Sequence, residues 1–427
     1  MKSFHIPFGT SYLELELEEQ CINDVLTSKA EEYKVDSTQE ELVRGALADA
    51  IYSEQLCDLA ANARKILLIT SDHTRPVPSR ITLPIILDEI RRKNPSISVK
   101  ILIATGCHRP TTYEEMLNKF GKDLVEKEEI INHDCRDIDN MVYKGLLPSG
   151  GELWLNSLVD WADVVISEGF IEPHFFAGFS GGRKSILPGI ASEKTVLANH
   201  CSKFIASDYA RTGNIKSNPI NEDMVYAAIV AKLQFILNVV IDSEKNIINA
   251  FAGDPLKAHE AGCDFVKKLS SVKSDKAADI VITSNGGYPL DQNIYQAVKG
   301  MTAAEACVKK DGVIIMAAAC NDGHGGEEFY KWFANAKSPS EVAKRIAGIK
   351  QRDTIADQWE AQILARVLCK SEVIIVTDRC DRKMITNMHM KQADSLEHAL
   401  CMARSKVGLN AKITIIPDGV AVIVENI

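Results

Sequence analysis

A buried strand and the polar loop that follows it are written in Lys65-Ile66-Leu67-Leu68-Ile69-Thr70-Ser71-Asp72-His73-Thr74-Arg75-Pro76. The apolar run Lys65–Thr70, bounded by turn residues, has the length and β-branched content of a strand, and a helical pattern follows at Ser79–Lys93. Working outward, runs of the same kind lie at Ser98–Ala104, Asp163–Ser167, Phe235–Ile241, Asp279–Thr283, Gly312–Ala317, Glu372–Val376 and Lys412–Ile416. Helical patterns fall among them at Thr111–Phe120, Asp291–Lys309 and Asp357–Leu368. Strand and helix alternate, as in α/β layers built on parallel sheets. At 427 residues the chain exceeds what one core serves, so two α/β domains are expected. The Ser/Lys-rich stretch Lys267–Lys276 sets their boundary, giving domains 1–270 and 271–427. The segment from Ile413 to Val424 reads as a hairpin about Pro417-Asp418-Gly419, free to pack back on either domain.

The formal net charge is −9 and no long Lys/Arg block occurs, which argues against nucleic acid or an anionic membrane as partner. No basic start leads into an apolar run at the N-terminus, and no stretch approaches the roughly eighteen apolar residues of a membrane span. Eleven cysteines without a CxxC pair suit buried or free thiols of a reducing compartment. A soluble cytoplasmic protein is the expectation.

Ligands of open α/β sheets collect beyond the carboxyl ends of strands, so the loops there matter most. After the first strand, Asp72-His73-Thr74-Arg75-Pro76 offers an anion both a helix N-terminus and the fork of Arg75, although the same turn also reads as plain helix capping. After Ser98–Ala104 comes Thr105-Gly106-Cys107-His108-Arg109-Pro110. His108 there is a candidate acid or base, with a structural histidine as the alternative, and Cys107 reads as packing.

The third loop, Glu172 to Gly189, carries His174-Phe175-Phe176-Ala177-Gly178-Phe179-Ser180-Gly181-Gly182-Arg183-Lys184. A nucleotide P-loop needs glycine directly before its lysine, and Arg183 stands there instead. Lys184 in a tight Gly-rich turn is a candidate covalent or charge-bearing anchor, with His174 reaching the same pocket. His200 follows a helical segment from Glu193, and imidazole suits nickel, zinc or copper. His108, His174 and His200 match no standard zinc spacing, which leaves a three-histidine zinc hydrolase open but weakly supported. The fourth loop, Ser284 to Gly300, starts a helix near Asp291 on which Tyr295 and Lys299 share a face beside a polar stripe of Gln292 and Gln296. That stripe suits an anion grip, or a solvated helix face.

Together these stretches, from Asp72–Pro76 and Gly106–Thr111 through Pro173–Gly189 to His200 and Asp291–Lys299, resemble the nickel-dependent lactate racemase family over most of the chain. The resemblance implies two α/β domains with an active-site cleft between them. It implies a pyridinium bis-thiocarboxylate mononucleotide (the nickel-pincer nucleotide) joined to Lys184, with nickel completed by His200. The turn Asp72, His73, Thr74 and Arg75 would border that cofactor. His108 and His174 would exchange the hydroxyl proton of a small 2-hydroxy acid while hydride leaves and returns on the other face. Their ordinary pKa near 6.5 suits this work at cellular pH. Gln296 and Lys299, with Arg75, would hold the carboxylate, and Tyr295 and Trp359 would wall the side-chain pocket. Proteins that build the cofactor would be partners, and a homo-oligomer stays open.

Three other readings compete. One is a racemase or epimerase of another 2-hydroxy acid. Another is an NAD-linked dehydrogenase, for which the Gly-x-Gly-x-x-Gly turn is missing. The third is a non-catalytic nickel-cofactor carrier, which has no need of paired histidines.

Overall fold

The computed structural model describes residues 1–426 and divides into two compact units. The first comprises Ala30–His200 and Ser207–Lys268; the second comprises Met1–Lys29, Cys201–Ala206 and the chain from Leu269 onward.

In the first unit a six-stranded sheet runs in the order Ile247–Gly253, Leu233–Ile241, Val164–Phe170, Lys65–Ser71, Ser98–Ala104, Glu129–Asn132. All neighbours are parallel except the Ile247–Gly253 edge, which runs antiparallel to Leu233–Ile241. A parallel sheet covered on both faces demands apolar side chains on both, which is why Ile66–Ile69, Ile101–Ile103 and Val164–Ile166 read as unbroken Ile, Leu and Val. Helix Ser79–Arg91 lays Leu83, Ile86, Leu87 and Ile90 against Ile66, Leu68, Ile101 and Ile103. Truncating a core residue such as Leu68 to alanine costs about 3 kcal/mol. The chain steps outward from Lys65–Ser71 through Ser98–Ala104 to Glu129–Asn132, then returns to the opposite side at Val164–Phe170. The connections after Lys65–Ser71 and Val164–Phe170 therefore diverge, and a crevice opens at their carboxyl ends.

The second unit is built on a wholly parallel sheet in the order Lys391–Ala393, Glu372–Val376, Val308–Ala317, Ala278–Ser284, Ile413–Ile416, Ile22–Val25. Residues 1–29, expected in the first domain, group with this unit. Ile22–Val25 caps the otherwise open edge of Ile413–Ile416, and the hairpin Lys2–Phe8/Ser11–Leu17 buries Ile6, Phe8, Leu15 and Leu17 with Ile280 and Ile315. The expected terminal hairpin is also corrected. Ile413–Ile416, buried along its whole length, takes a strand on each side, whereas Ile423–Asn426 leaves to pair in parallel with Ser271–Ser274. The Pro417-Asp418-Gly419 turn serves that departure, with Gly419 N–H donating to the Ser284 carbonyl at 2.9 Å. A Cβ on Gly419 would lie 2.8 Å from the Gly300 Cα, so only glycine passes there.

No helix among the described residues is long and apolar enough to cross a membrane.

Candidate active site

At the first crevice the loop after Lys65–Ser71 turns on its own side chains. Asp72, 2% exposed, accepts the Thr74 N–H at 3.1 Å and the Thr74 hydroxyl at 2.6 Å through Oδ1. Its Oδ2 lies 2.7 Å from Nδ1 of His108, which comes from the loop after the neighbouring strand Ser98–Ala104. Burial alone would raise the Asp72 carboxyl, but the hydrogen bond and charge of His108, with Arg75 and Thr74, outweigh it and hold the group at about 2. An ionised carboxylate can only accept, so His108 carries its proton on Nδ1 and turns the lone pair of Nε2 outward. With 49% of its side chain exposed, that nitrogen is within reach of a ligand. Of the same turn, His73 places Nδ1 3.2 Å from the Thr111 hydroxyl, with its basicity lowered by burial, and Arg75 directs NH1 to the Thr74 hydroxyl at 3.2 Å. Cys107 beside His108 is no thiolate: hydrogen bonding with Cys135, then burial, push it far up.

The Gly-rich loop sits on the adjoining strand Val164–Phe170 and folds back through the short pair Pro173–His174/Gly178–Phe179. Here Nδ1 of His174 accepts the Ala177 N–H at 3.3 Å, so the ring carries its proton on Nε2. The two histidines therefore rest in opposite tautomers. The Phe176 ring is the hub of this loop. His174 packs on it at 4.6 Å and His200 at 5.2 Å, both edge-on, and the Lys184 ammonium lies 5.8 Å from its centroid. His200 sets Nδ1 3.1 Å from the Val196 carbonyl, which fixes the proton there and leaves the Nε2 lone pair as the donor. Burial first, then the charge of Lys184, push His200 down to about 3, so it stays neutral at physiological pH.

Arg183 is 2% exposed and spans this loop from within. It donates to the carbonyls of Ala177 at 2.9 Å and Gly181 at 3.2 Å and to Asn221 at 2.7 Å. Gly181 and Gly182 both adopt left-handed backbone, and a Cβ on either would strike Asn238 or His259 at 2.7 Å. The loop carrying His108 joins this one, because Gly106 N–H donates to the Gly189 carbonyl at 3.0 Å.

The second unit carries its own cluster. Its helix begins at Ile294, three residues later than expected, because Asn293 caps it through the Gln296 N–H at 2.9 Å. Gln292 therefore lies outside the helix stripe. Asp291 is a staple instead, its Oδ2 accepting the Gly9 N–H at 2.6 Å and the Ala319 N–H at 3.1 Å. Helix Gln358–Lys370 runs alongside in the same direction, pinned where Arg366 grips Glu305 at 2.7 to 3.1 Å. Six residues earlier on each helix stand Lys299 and Glu360, whose charges act on one another. Glu360, 1% exposed, is pushed up to about 8 by burial, then by Asp357, against the pull of Lys299. The Tyr295 hydroxyl hydrogen-bonds with Trp359 and Asp357 and is driven well above its usual value, chiefly by burial.

The structure thus gathers Asp72, Thr74, Arg75 and His108 in one group, His174, Lys184 and His200 around Phe176, and Tyr295, Lys299 and Trp359 in the second unit. Gln296 stands beside Tyr295 on the helix, its carbonyl accepting from Asn285 at 2.6 Å. Among the described residues no three His, Cys, Asp or Glu side chains converge as a metal cage, so His108, His174 and His200 do not form the zinc site considered above. Sequence reasoning passed over Arg183, Glu168, Lys119, Asp357 and Glu360. Only Arg183 had a local signal, its place before Lys184 in a loop too apolar to leave a guanidinium in water.

Family models match the chain in two consecutive blocks, the lactate racemase N-terminal domain over residues 8–213 and the lactate racemase C-terminal domain over 272–424. The lactate racemase of Thermoanaerobacterium thermosaccharolyticum is 58% identical over 425 residues, covering 100% of both chains. That of Lactiplantibacillus plantarum is 51% identical over 425 residues, again with 100% of both covered. The solved structure of the lactate racemase apoprotein from T. thermosaccharolyticum superposes with a TM-score of 0.96 at 56% identity, over 99% of this chain and 100% of that one. A Thermotoga maritima protein shares the fold at a TM-score of 0.68 and 19% identity, over 91% of this chain and 98% of that one. With both domains matched in order and full-length identity above half, the chain belongs to the lactate racemase family of isomerases.

Proposed function

We propose that this chain interconverts D- and L-lactate, working in the cytoplasm on a nickel-pincer nucleotide cofactor that other proteins build and that is joined to Lys184. The observation that carries the reading is the pair of opposite tautomers, with Asp72 behind His108 at 2.7 Å and the Ala177 N–H behind His174 at 3.3 Å.

The chain's residues fit the cofactor. His200 is a buried neutral imidazole whose Nδ1 faces a carbonyl, the state a metal-binding Nε2 requires. Lys184 shares the Phe176 ring with it, in a loop where left-handed glycines admit no Cβ. When bound, the cofactor supplies a hydride acceptor, so substrate is oxidised and reduced again with no NAD consumed.

Everything else falls to side chains. Removing hydride from the carbon of a 2-hydroxy acid is feasible once its hydroxyl proton has a destination. His108 Nε2 takes that proton, and the Asp72 carboxylate stabilises the imidazolium that results. The planar 2-oxo acid can accept hydride on either face. His174 Nε2–H directs a hydrogen bond at the oxygen; to accept a proton there, it must first give up the Ala177 N–H bond. In the first unit Arg75 offers its guanidinium to the carboxylate; in the second, Gln296 and Lys299 are the groups suited to an anion, and Tyr295 and Trp359 are those suited to wall a methyl group. The Asp72–Arg75 turn borders the cofactor. Another 2-hydroxy acid would use the same reacting groups with a different wall. A bare cofactor carrier would have no use for Asp72 behind His108.

The test is intact mass, nickel content and lactate racemisation on protein co-expressed with cofactor-building enzymes. An adduct mapping to Lys184, with about one nickel per chain and D/L interconversion, is expected. Adduct without lactate turnover moves the substrate, and no adduct under proven loading conditions overturns the reading.

A further inference from the structure

Behind the Asp72–Arg75 turn lie a half-buried lysine and a buried glutamate that the chemistry above does not use. Helix Tyr113–Phe120 starts from a reciprocal cap between Thr112 and Glu115 and brings Lys119, in its last turn, back toward the end of strand Lys65–Ser71. The Lys119 ammonium donates to the Arg75 carbonyl at 2.8 Å. On strand Val164–Phe170, the other wall of the crevice, Glu168 is 1% exposed, and its charge acts on that ammonium. Its carboxylate is held from two sides: the Thr70 hydroxyl donates to Oε2 at 2.5 Å, and the Thr82 hydroxyl donates to Oε1. Burial lowers the Lys119 ammonium to about 8, and the charges of Glu168 and then Asp72 oppose that loss.

The turn itself is knit by short local bonds, Arg75 N–H to the Asp72 carbonyl at 3.2 Å and Thr74 to the Asp72 carboxylate. Local bonds give a turn its shape but do not fix its place on the sheet. A neutral donor could meet the Arg75 carbonyl as well. An ammonium does so with a charge-assisted bond, and the charge of Glu168 favours keeping it in place.

We propose that Lys119 and Glu168 are positioning residues, an ammonium bonded to the Arg75 carbonyl and a carboxylate clamped by Thr70 and Thr82, that fix the Asp72–Arg75 turn and, through Asp72, the tautomer of His108. Neither touches the reacting atoms. The inference rests on His108 as the proton acceptor, but its first readout needs neither cofactor nor substrate.

The experiment compares the full-length native chain with Lys119→Met, Glu168→Gln and the double variant, which strands no buried charge. Nitrogen-15 shifts of labelled His108 report which ring nitrogen carries the proton. The native chain is expected to show the Nδ1–H form. The folded double variant should show a mixture, and its loaded form should lose about tenfold to a hundredfold in kcat, the scale of a small misplacement. Lys119→Arg, which keeps charge and donor, should restore the native spectrum. If the charge-removing chains do not fold, Thr82→Val releases one clamp of Glu168 and should give the same redistribution in smaller degree. A native tautomer in the folded double variant, or in Thr82→Val where the double variant does not fold, overturns the proposal. A chain that shows the tautomer change yet never racemises lactate would instead count against the proposed function alone.

Discussion

Two loops of the first unit each present a histidine at the end of a parallel strand, and what stands behind the rings differs. Behind His108 is the Asp72 carboxylate, at 2.7 Å; behind His174 is the N–H of Ala177, at 3.3 Å. A carboxylate stabilises an imidazolium as it forms, whereas an N–H aimed at Nδ1 opposes one. The same side chain is thus an acceptor at one position and a donor at the other. The role is set by the atom facing Nδ1, and Asp72 reaches His108 from a different strand loop, 36 residues away.

The largest effect should come from removing the acceptor. His108→Ala is expected to lower kcat by about 10⁴-fold, the upper range for general base catalysis, with adduct and nickel retained. Mass, metal content and polarimetric assay check this; loss of nickel together with activity, or loss of neither, breaks the assignment. Asp72→Asn is a sharper test, because an amide N–H behind His108 would impose the tautomer of His174. We expect about a 10³-fold loss in kcat, approaching the cost of the wrong tautomer in a serine-protease triad. Activity within about tenfold of native would show that the tautomer does not matter.

A third comparison addresses the other loop. Glutamine can accept the Ala177 N–H and still donate, so His174→Gln should retain about tenfold more activity than His174→Ala, the worth of roughly one hydrogen bond. His108→Gln should gain nothing over His108→Ala. Equal behaviour at the two positions would erase the asymmetry.

Smaller effects concern stability. Burial lowers His133 to about 4 and His200 and His259 to about 3, all from 6.5. Because each is depressed in the folded state, the unfolded chain binds more protons between those values and 6.5. Stability is therefore whole above about 6.5 and falls as pH drops through that window. Apoprotein melting scans from pH 7 to 4 should show it, and a flat profile would contradict neutral burial of these rings. Glu360 has the opposite sense. Raised to about 8 from 4.5, it keeps its proton in the folded state while the unfolded chain loses it, so stability declines between those values as pH rises. Glu360→Gln should remove that decline and raise the melting point at pH 8 relative to pH 5 by about 2–4 °C, equivalent to roughly 1 kcal/mol. An unchanged slope would mean that Glu360 is ionised in the folded protein.

Much of the fold was legible locally. Ser98–Ala104 and Glu372–Val376 begin and end where the apolar runs do. Such strands are covered on both faces, so their burial is written along the chain itself. The strand Val164–Phe170 outran its apolar signal because Glu168 is polar, and it is Thr70 and Thr82, 98 and 86 residues away, that hydrogen-bond its buried carboxyl group. The edge strand Ile22–Val25 was missed for a similar reason: exposed on one side, it has no dense apolar run, and its partner Ile413–Ile416 lies almost the whole chain away. The terminal hairpin failed because a Pro-Asp-Gly turn states only that the chain bends, not which neighbours await it.

By itself the sequence determined the α/β class, the loops where chemistry gathers and the Gly-rich segment about Lys184, since periodicity, turn residues and local crowding act between near neighbours. Tertiary structure alone decided which strands share a sheet, which nitrogen of each histidine carries the proton, and that Lys119 reaches the Arg75 carbonyl behind the Asp72 turn. Those outcomes depend on hydrogen bonds and charges between distant residues in a low-dielectric interior, where a partner's position sets both tautomer and charge.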